Sequence, residues 1–319
     1  MRLIPFPPSF VILTYHLVEK STIRSGKAHI FGLVNNLLYQ SWNHQHLYEF
    51  GCLKAFGIMG KRKQTYTIQR NAKVRKYSLI PEENSETRYS PPRDWIEKEV
   101  VPIFNTHKNS SDAEEMKKYM RNKFDFIGLR SPMRKKLTKT IMKDSLPKQV
   151  CPNWIIAVAS ELWDYPFREF QYLAMDLMMK YVKSISHSDL DSSIKEMIVK
   201  KSWWDTVDCL SSNVVGPIIQ NHPASVSLMD KWINDDNVWL MRTAILFQLK
   251  YKSETSKERL FKICRKSSSQ EDFFIRKAIG WALREYAKTN PDEVIKFVKA
   301  NERKLSRLSI REVLKHIEK

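Results

Sequence analysis

The sequence has no C-x-x-C pair and no Cys/His cluster, and its four cysteines, Cys52, Cys151, Cys209 and Cys264, are scattered along 319 residues. That spacing offers neither a disulfide framework nor a zinc site, and it predicts free thiols in a reducing compartment. Long apolar runs are missing too: none approaches the roughly eighteen residues of a membrane-spanning helix. Acids are scarce, 35 against 54 bases, which leaves a net charge of +19. Such a surplus favours polyanions, either nucleic acid or an anionic membrane surface. Pro5, Pro7, Pro8 and the lack of a cleavage site argue against a secretory signal. The first acid is Glu19, so an organelle transit peptide stays compatible with the N-terminus. The expected location is the cell interior, nuclear or cytoplasmic, with an organelle left open.

Two regions follow different rules. Residues 1–93 have no sustained helical period, and residues 50–81 contain no acid at all. The stretch from Pro81 to Arg93 is polar and proline-bearing, and it reads as a linker. Residues 1–93 are thus expected to be a basic, poorly ordered extension, either a tail or an arm adding non-specific DNA affinity. Residues 1–91 carry 13 bases and five acids, so the remainder keeps a surplus of 11. The charge is therefore not confined to the extension.

From Asp94 to Lys319 the chain is helix-periodic and β-alternation is scarce. Thirteen helices are predicted, over 94–104, 112–123, 132–143, 150–162, 167–182, 189–200, 203–216, 224–233, 237–250, 257–265, 271–288, 291–300 and 307–318. Phe170, Ala174, Leu177 and Tyr181 have the same spacing as Leu240, Ala244, Phe247 and Tyr251, and as Ile275, Ile279, Ala282 and Tyr286. The three sets imply a unit of about 35 residues. Helical pairs at that period predict an all-α, HEAT/ARM-like solenoid of antiparallel pairs with a concave basic face.

Several residues stand out against this background. Lys277, Trp281, Arg284 and Lys288 share one helical ridge. It suits a surface meeting phosphates while the indole nears a sugar or base; a solvated charged ridge is the plain alternative. Arg242 is the only charge between Val238 and Leu249, and it needs a carboxylate or a phosphate to offset desolvation. Ser202 reads as an N-cap with Asp205 completing a capping box. Asp208 lies one turn after Trp204, so carboxylate and indole project together and suit a developing cation. Ser131 reads as another N-cap, with Pro132 at N1 followed by Arg134 and Lys135. Cations there are unfavourable unless an anion binds the helix start; a merely basic surface is the alternative.

Together these segments resemble the AlkD family of DNA alkylation-repair glycosylases. The resemblance is carried by Phe126–Pro132, Glu161–Phe170, Lys201–Asp208, Trp239–Lys252 and Phe274–Pro291, and it spans roughly 94–317. It does not reach residues 1–93. It implies that Asp208 is catalytic, that Trp204 and Trp281 contact the lesion-bearing nucleotide, and that Arg242 belongs to the site. It also implies that the base stays stacked while the enzyme works from the sugar-phosphate side.

The residue types agree with that chemistry. A purine alkylated at N3 or N7 is cationic, so it leaves neutral without a general acid. The oxocarbenium-like sugar needs stabilisation and water must attack; one carboxylate can serve both ends. No lysine is placed for a Schiff base, so a monofunctional glycosylase is expected. Ser131, Arg134, Lys135, Lys277, Arg284 and Lys288 are the expected backbone contacts. The expected partner is double-stranded DNA with alkylated purines, bound by a monomer with no cofactor, metal or membrane. A non-catalytic HEAT-like DNA-binding protein and a protein-interaction scaffold are the alternatives.

Overall fold

The structure, a computed structural model, describes residues 89–317. The basic extension expected over 1–93 lies outside the described residues except for 89–93. Those five residues belong to the folded part. Tyr89 stacks on Trp154 at 5.9 Å, and the Trp154 indole donates to the Ser90 carbonyl at 2.9 Å. The first helical turn starts at Pro92, where the fixed φ of proline suits N1.

Each of the thirteen predicted stretches holds helix, with ends that differ by up to five residues, and among the described residues there is no strand, only an isolated bridge between Asp125 and Phe167. The α-helices are α1 (Pro92–Trp95), α2 (Val101–Thr106), α3 (Ser110–Tyr119), α4 (Ser131–Asp144) and α5 (Pro152–Asp164). Next come α6 (Arg168–Tyr181), α7 (Ser193–Val199), α8 (Trp204–Leu210), α9 (Gly216–Asn221) and α10 (Ser227–Trp232). The chain ends with α11 (Val238–Leu246), α12 (Lys257–Lys266), α13 (Phe273–Ala287), α14 (Pro291–Ala300) and α15 (Arg307–Ile317).

Two π-helical segments, Ile96–Val100 and Ser211–Val215, each end two residues before a proline, Pro102 and Pro217. A proline has no N–H to give and its ring crowds the carbonyl four residues back, so a widened turn carries the helix through. Side chains supply part of what the second segment loses: Ser211, Ser212 and Asn213 donate to the carbonyls of Val207, Asp208 and Cys209. This helix was predicted to stop at 216. It continues to Asn221.

The three aligned stripes lie in a single core. Ala174, Leu177, Ala244, Phe247, Ile275 and Ile279 are all essentially inaccessible to solvent. Each large apolar side chain buried this way contributes about 1.5–3 kcal/mol. The packing advances along the chain: α4 on α6, α6 on α8, α8 on α11, α11 on α13, and α13 on α15. That succession is the α-solenoid predicted from the repeat. It also places the singled-out residues on one row of helices: Asp208 on α8, Arg242 on α11, Lys277 and Trp281 on α13.

Candidate active site

The start of α8 is fixed by a residue that sequence reasoning did not select. Arg168 is completely buried; its Nε and Nη2 donate to Asp205 at 2.9 and 2.7 Å, and its Nη1 donates to the Lys201 carbonyl at 2.8 Å. The Tyr172 hydroxyl adds a bond of 2.8 Å to the same carboxylate. The capping box proposed for this turn is therefore corrected. Trp203 holds the N-cap position without a side-chain cap, Ser202 donates back to the Ile198 carbonyl, and Asp205 serves as the counter-charge of a buried guanidinium. Next to Arg168, Glu169 is also buried, and it accepts the backbone N–H groups of Ile127, Gly128 and Leu129. These two residues explain physically why the stretch Glu161–Phe170 is so distinctive: it ties the loop before α4 and the start of α8 to α6.

With α8 held, Asp208 faces α11. Arg242 Nε donates to Asp208 Oδ1 at 2.6 Å and Nη2 to Oδ2 at 2.9 Å, while Nη1 donates to the Phe274 carbonyl. The two side chains are only 5% and 15% exposed. Of the two partners that Arg242 was predicted to need, a carboxylate or a phosphate, the folded chain supplies the carboxylate. Burial pushes the Asp208 carboxyl above the usual aspartate range, and the Arg242 hydrogen bonds and charge pull against that rise. Each carboxylate oxygen still has a lone pair free, because an ionised carboxylate offers about four acceptor sites and Arg242 takes two.

Asp208 opens into a cavity of about 510 Å³ walled by Trp203, Trp204, Phe273 and Phe274, with Arg121 and Lys277 also in its lining. Trp203, Trp239 and Phe274 form a tilted aromatic cluster with centroids 4.9–5.7 Å apart, a rigid, low-dielectric back wall. Trp204 is half-buried and meets the exposed Tyr119 edge-on at 6.2 Å. Of the residues singled out in the sequence, the structure brings Trp204, Asp208, Arg242 and Lys277 together around this cavity. Arg121, Trp203, Phe273 and Phe274 were not foreseen in this site: a wall built from three helices and a loop leaves no spacing signal in the sequence.

The remaining predicted residues are dispersed. Trp281 sits one turn beyond Lys277, half-buried against the main core, and is not part of the cavity lining. Lys277 and Arg284 donate to the buried Glu312 of α15 at 2.7 and 2.8 Å, and Lys315 joins them at 2.6 Å. Burial opposes ionisation of Glu312, but Lys277 and Lys315 hold its carboxyl down at about 2. Lys288 pairs with Glu285 at 2.7 Å. At α4 the helix starts one residue earlier than predicted: Arg130 occupies the N-cap, Ser131 is N1 and exposed, and no side chain caps it. Arg134 is paired with Asp176 and lies 5.0 Å over the Tyr172 ring, whereas Lys135 is exposed. Among the described residues no cluster of His, Cys, Asp and Glu is arranged to hold a metal ion, and no helix is long and apolar enough to cross a membrane.

No curated protein matches the chain. A solved structure described as a predicted DNA alkylation repair enzyme from Enterococcus faecalis is 32% identical, with a TM-score of 0.60, over 66% of this chain and 97% of that one. The Pseudomonas fluorescens alkylpurine DNA glycosylase AlkC, bound to DNA containing an abasic site analog, is 11% identical with a TM-score of 0.40, over 73% and 66% of the two chains. At that distance it carries no argument. The sequence profile of the DNA alkylation repair enzyme family matches residues 103–317, which include every helix from α3 to α15 and the whole Asp208 cavity. The chain belongs to the DNA alkylation repair enzyme family.

Proposed function

We propose that this repair enzyme is a monofunctional DNA glycosylase, as its resemblance to the AlkD family implies, hydrolysing the N-glycosidic bond of N3- and N7-alkylated purines in duplex DNA. The observation that carries this reading is the buried Asp208 carboxylate, gripped by Arg242 and opening between Trp204, Trp203 and Phe274. As the C1′–N bond breaks, its electron pair leaves with the cationic base, which departs neutral, and positive charge develops on the sugar. Asp208 stabilises that charge and accepts a proton from the water that attacks C1′. The indole of Trp204 adds cation–π attraction on one side of the sugar. Arg242 fixes both carboxylate oxygens and so acts by positioning Asp208.

Trp281 is assigned to the lesion-bearing nucleotide by resemblance alone. The base stays in the stack while the enzyme engages the sugar-phosphate side, and double-stranded DNA is bound by a monomer. Ser131 and Lys135, exposed at the start of α4, are proposed backbone contacts; Arg134, Lys277, Arg284 and Lys288 each hold a carboxylate in the free protein, and they are proposed to meet phosphates through the N–H groups that the carboxylate leaves unused. The test is release of 7-methylguanine from methylated duplex DNA. Wild-type enzyme releases the base without cutting the strand. Asp208→Asn binds the duplex normally but excises the base about a hundred- to a thousandfold more slowly, the scale lost when a preorganised charge stabiliser is removed. Equal single-turnover rates for the two proteins would overturn the mechanism.

A further inference from the structure

Three cations line the cavity that holds Asp208: Arg121, Arg242 and Lys277. Arg242 is taken by Asp208 itself, at 2.6 and 2.9 Å. Lys277 is taken by Glu312 at 2.7 Å. Arg121 is exposed and, among the described residues, has no acidic partner within ion-pair distance.

The backbone at Arg121 is just as unusual. The Arg121 N–H donates to the Lys118 carbonyl and the Asn122 N–H to the Lys117 carbonyl, both at 2.9 Å. This is the Schellman closure of α3, and Arg121 occupies its left-handed position with φ of 56°, followed by Asn122 at 58°. Glycine is favoured there because a Cβ in the left-handed region is strained. An arginine in that place carries a steric penalty that the turn itself does not require. What the side chain gains is a place in the catalytic cavity, on the loop that faces α8 and α13.

Electrostatics then restricts the ligand. A free guanidinium beside the reaction centre repels the cationic alkylated base and disfavours an oxocarbenium, unless an anion sits next to it. The anion that DNA supplies at that distance from C1′ is a backbone phosphate, which matches the planar donor fork of arginine.

We propose that Arg121 binds the phosphate flanking the target nucleotide, holding the deoxyribose over Asp208 and keeping the charged base out of the cavity. This rests on the glycosylase reading for the identity of the nucleotide, and it adds a positioning residue at that same site.

The test is a cycle between protein and DNA. Wild type and Arg121→Gly are titrated against a duplex carrying one stable abasic-site analogue. The duplex has either natural phosphates or a neutral methylphosphonate on the 5′ or the 3′ side of that nucleotide. Wild type is expected to lose about tenfold in affinity with one of the two methylphosphonates, the worth of one charge-assisted contact. Arg121→Gly is expected to lose about tenfold on the natural duplex and nothing further on that methylphosphonate. Its salt dependence should be shallower by about 0.9 in the logarithmic slope.

A thermal melt separates this role from a structural one. Glycine relieves the left-handed strain, so the variant should melt about 2–4 °C higher while it binds worse. Equal methylphosphonate losses in the two proteins, or a lower melting temperature accompanying the lost affinity, would overturn the assignment. Failure of wild type to release 7-methylguanine sinks the glycosylase reading instead, and the binding cycle still scores Arg121.

Discussion

Asp205 and Asp208 are three residues apart on one short helix, yet their environments give them different work. Asp205 is held by Arg168 and Tyr172 and is 8% exposed, so its oxygens are committed inside the protein. If Asp205 were only a helix cap, Asp205→Ala would cost about 1 kcal/mol. The ion pair with a fully buried Arg168 raises the expected loss to about 3–5 kcal/mol, because removal leaves an uncompensated guanidinium in the interior. Denaturant unfolding of the variant decides between the two figures. Asp208, by contrast, opens on the cavity, and its raised pKa has a kinetic consequence. On the proposed mechanism excision needs the ionised carboxylate, so activity should be lost as pH falls through a pKa that lies above the ordinary aspartate value. Arg242→Gln removes a group that favours ionisation. The acid limb of the single-turnover rate should therefore move further up in pH in that variant, and a limb that stays put or moves down would contradict the pairing. The contrast between these two aspartates was only half legible in sequence. Spacing put Asp208 beside Trp204, but nothing local linked Asp205 to an arginine 37 residues earlier.

Elements meet closely where a side chain is absent. Gly280 on α13 faces α15, and a Cβ there would come within 2.5 Å of the Glu312 Cβ and 2.7 Å of the Ser309 carbonyl oxygen. The close approach is what lets Glu312 reach both Lys277 and Arg284, and it lets the Ser309 hydroxyl donate to the Arg276 carbonyl at 2.8 Å. Gly280→Ala should force the two helices apart at a cost of about 1–3 kcal/mol, despite the better helix propensity of alanine. A lowered melting temperature, together with faster amide exchange in α15, is the expected result; an unchanged melt would show that the contact yields easily. Helix positions themselves were largely readable from the apolar stripes, since a 3.6-residue period is a local property. The π segments were not, because they depend on how the chain carries a helix past Pro102 and Pro217.

At the scale of the molecule, the folded unit requires residues slightly before the predicted boundary. Tyr89 and Ser90 pack on Trp154, and Trp95 reaches the Ser145 carbonyl at 2.9 Å. A chain lacking residues 1–88 should melt cooperatively and keep its excision activity, since the core and the Asp208 cavity are built from later residues. Cutting instead at 94 should lower the melting temperature by exposing Trp154. Loss of a cooperative melt on the shorter deletion would show that the extension belongs to the fold. A weaker, less salt-dependent affinity for undamaged duplex would instead identify the extension as a basic DNA-binding arm.

The sequence by itself determined the helical class, the 35-residue stacking unit and the grouping of Trp204 with Asp208, because all three follow from periodicity along one chain segment. Tertiary structure alone decided which charges are spent inside the protein. Arg242 pairs with Asp208 across 34 residues, Arg168 with Asp205, and Lys277 and Arg284 with Glu312. A cation on a helical ridge reads the same in sequence whether its partner is a phosphate or a distant carboxylate. Only the packing of neighbouring helices brings that carboxylate within reach, and among the described residues it brings Arg121 none.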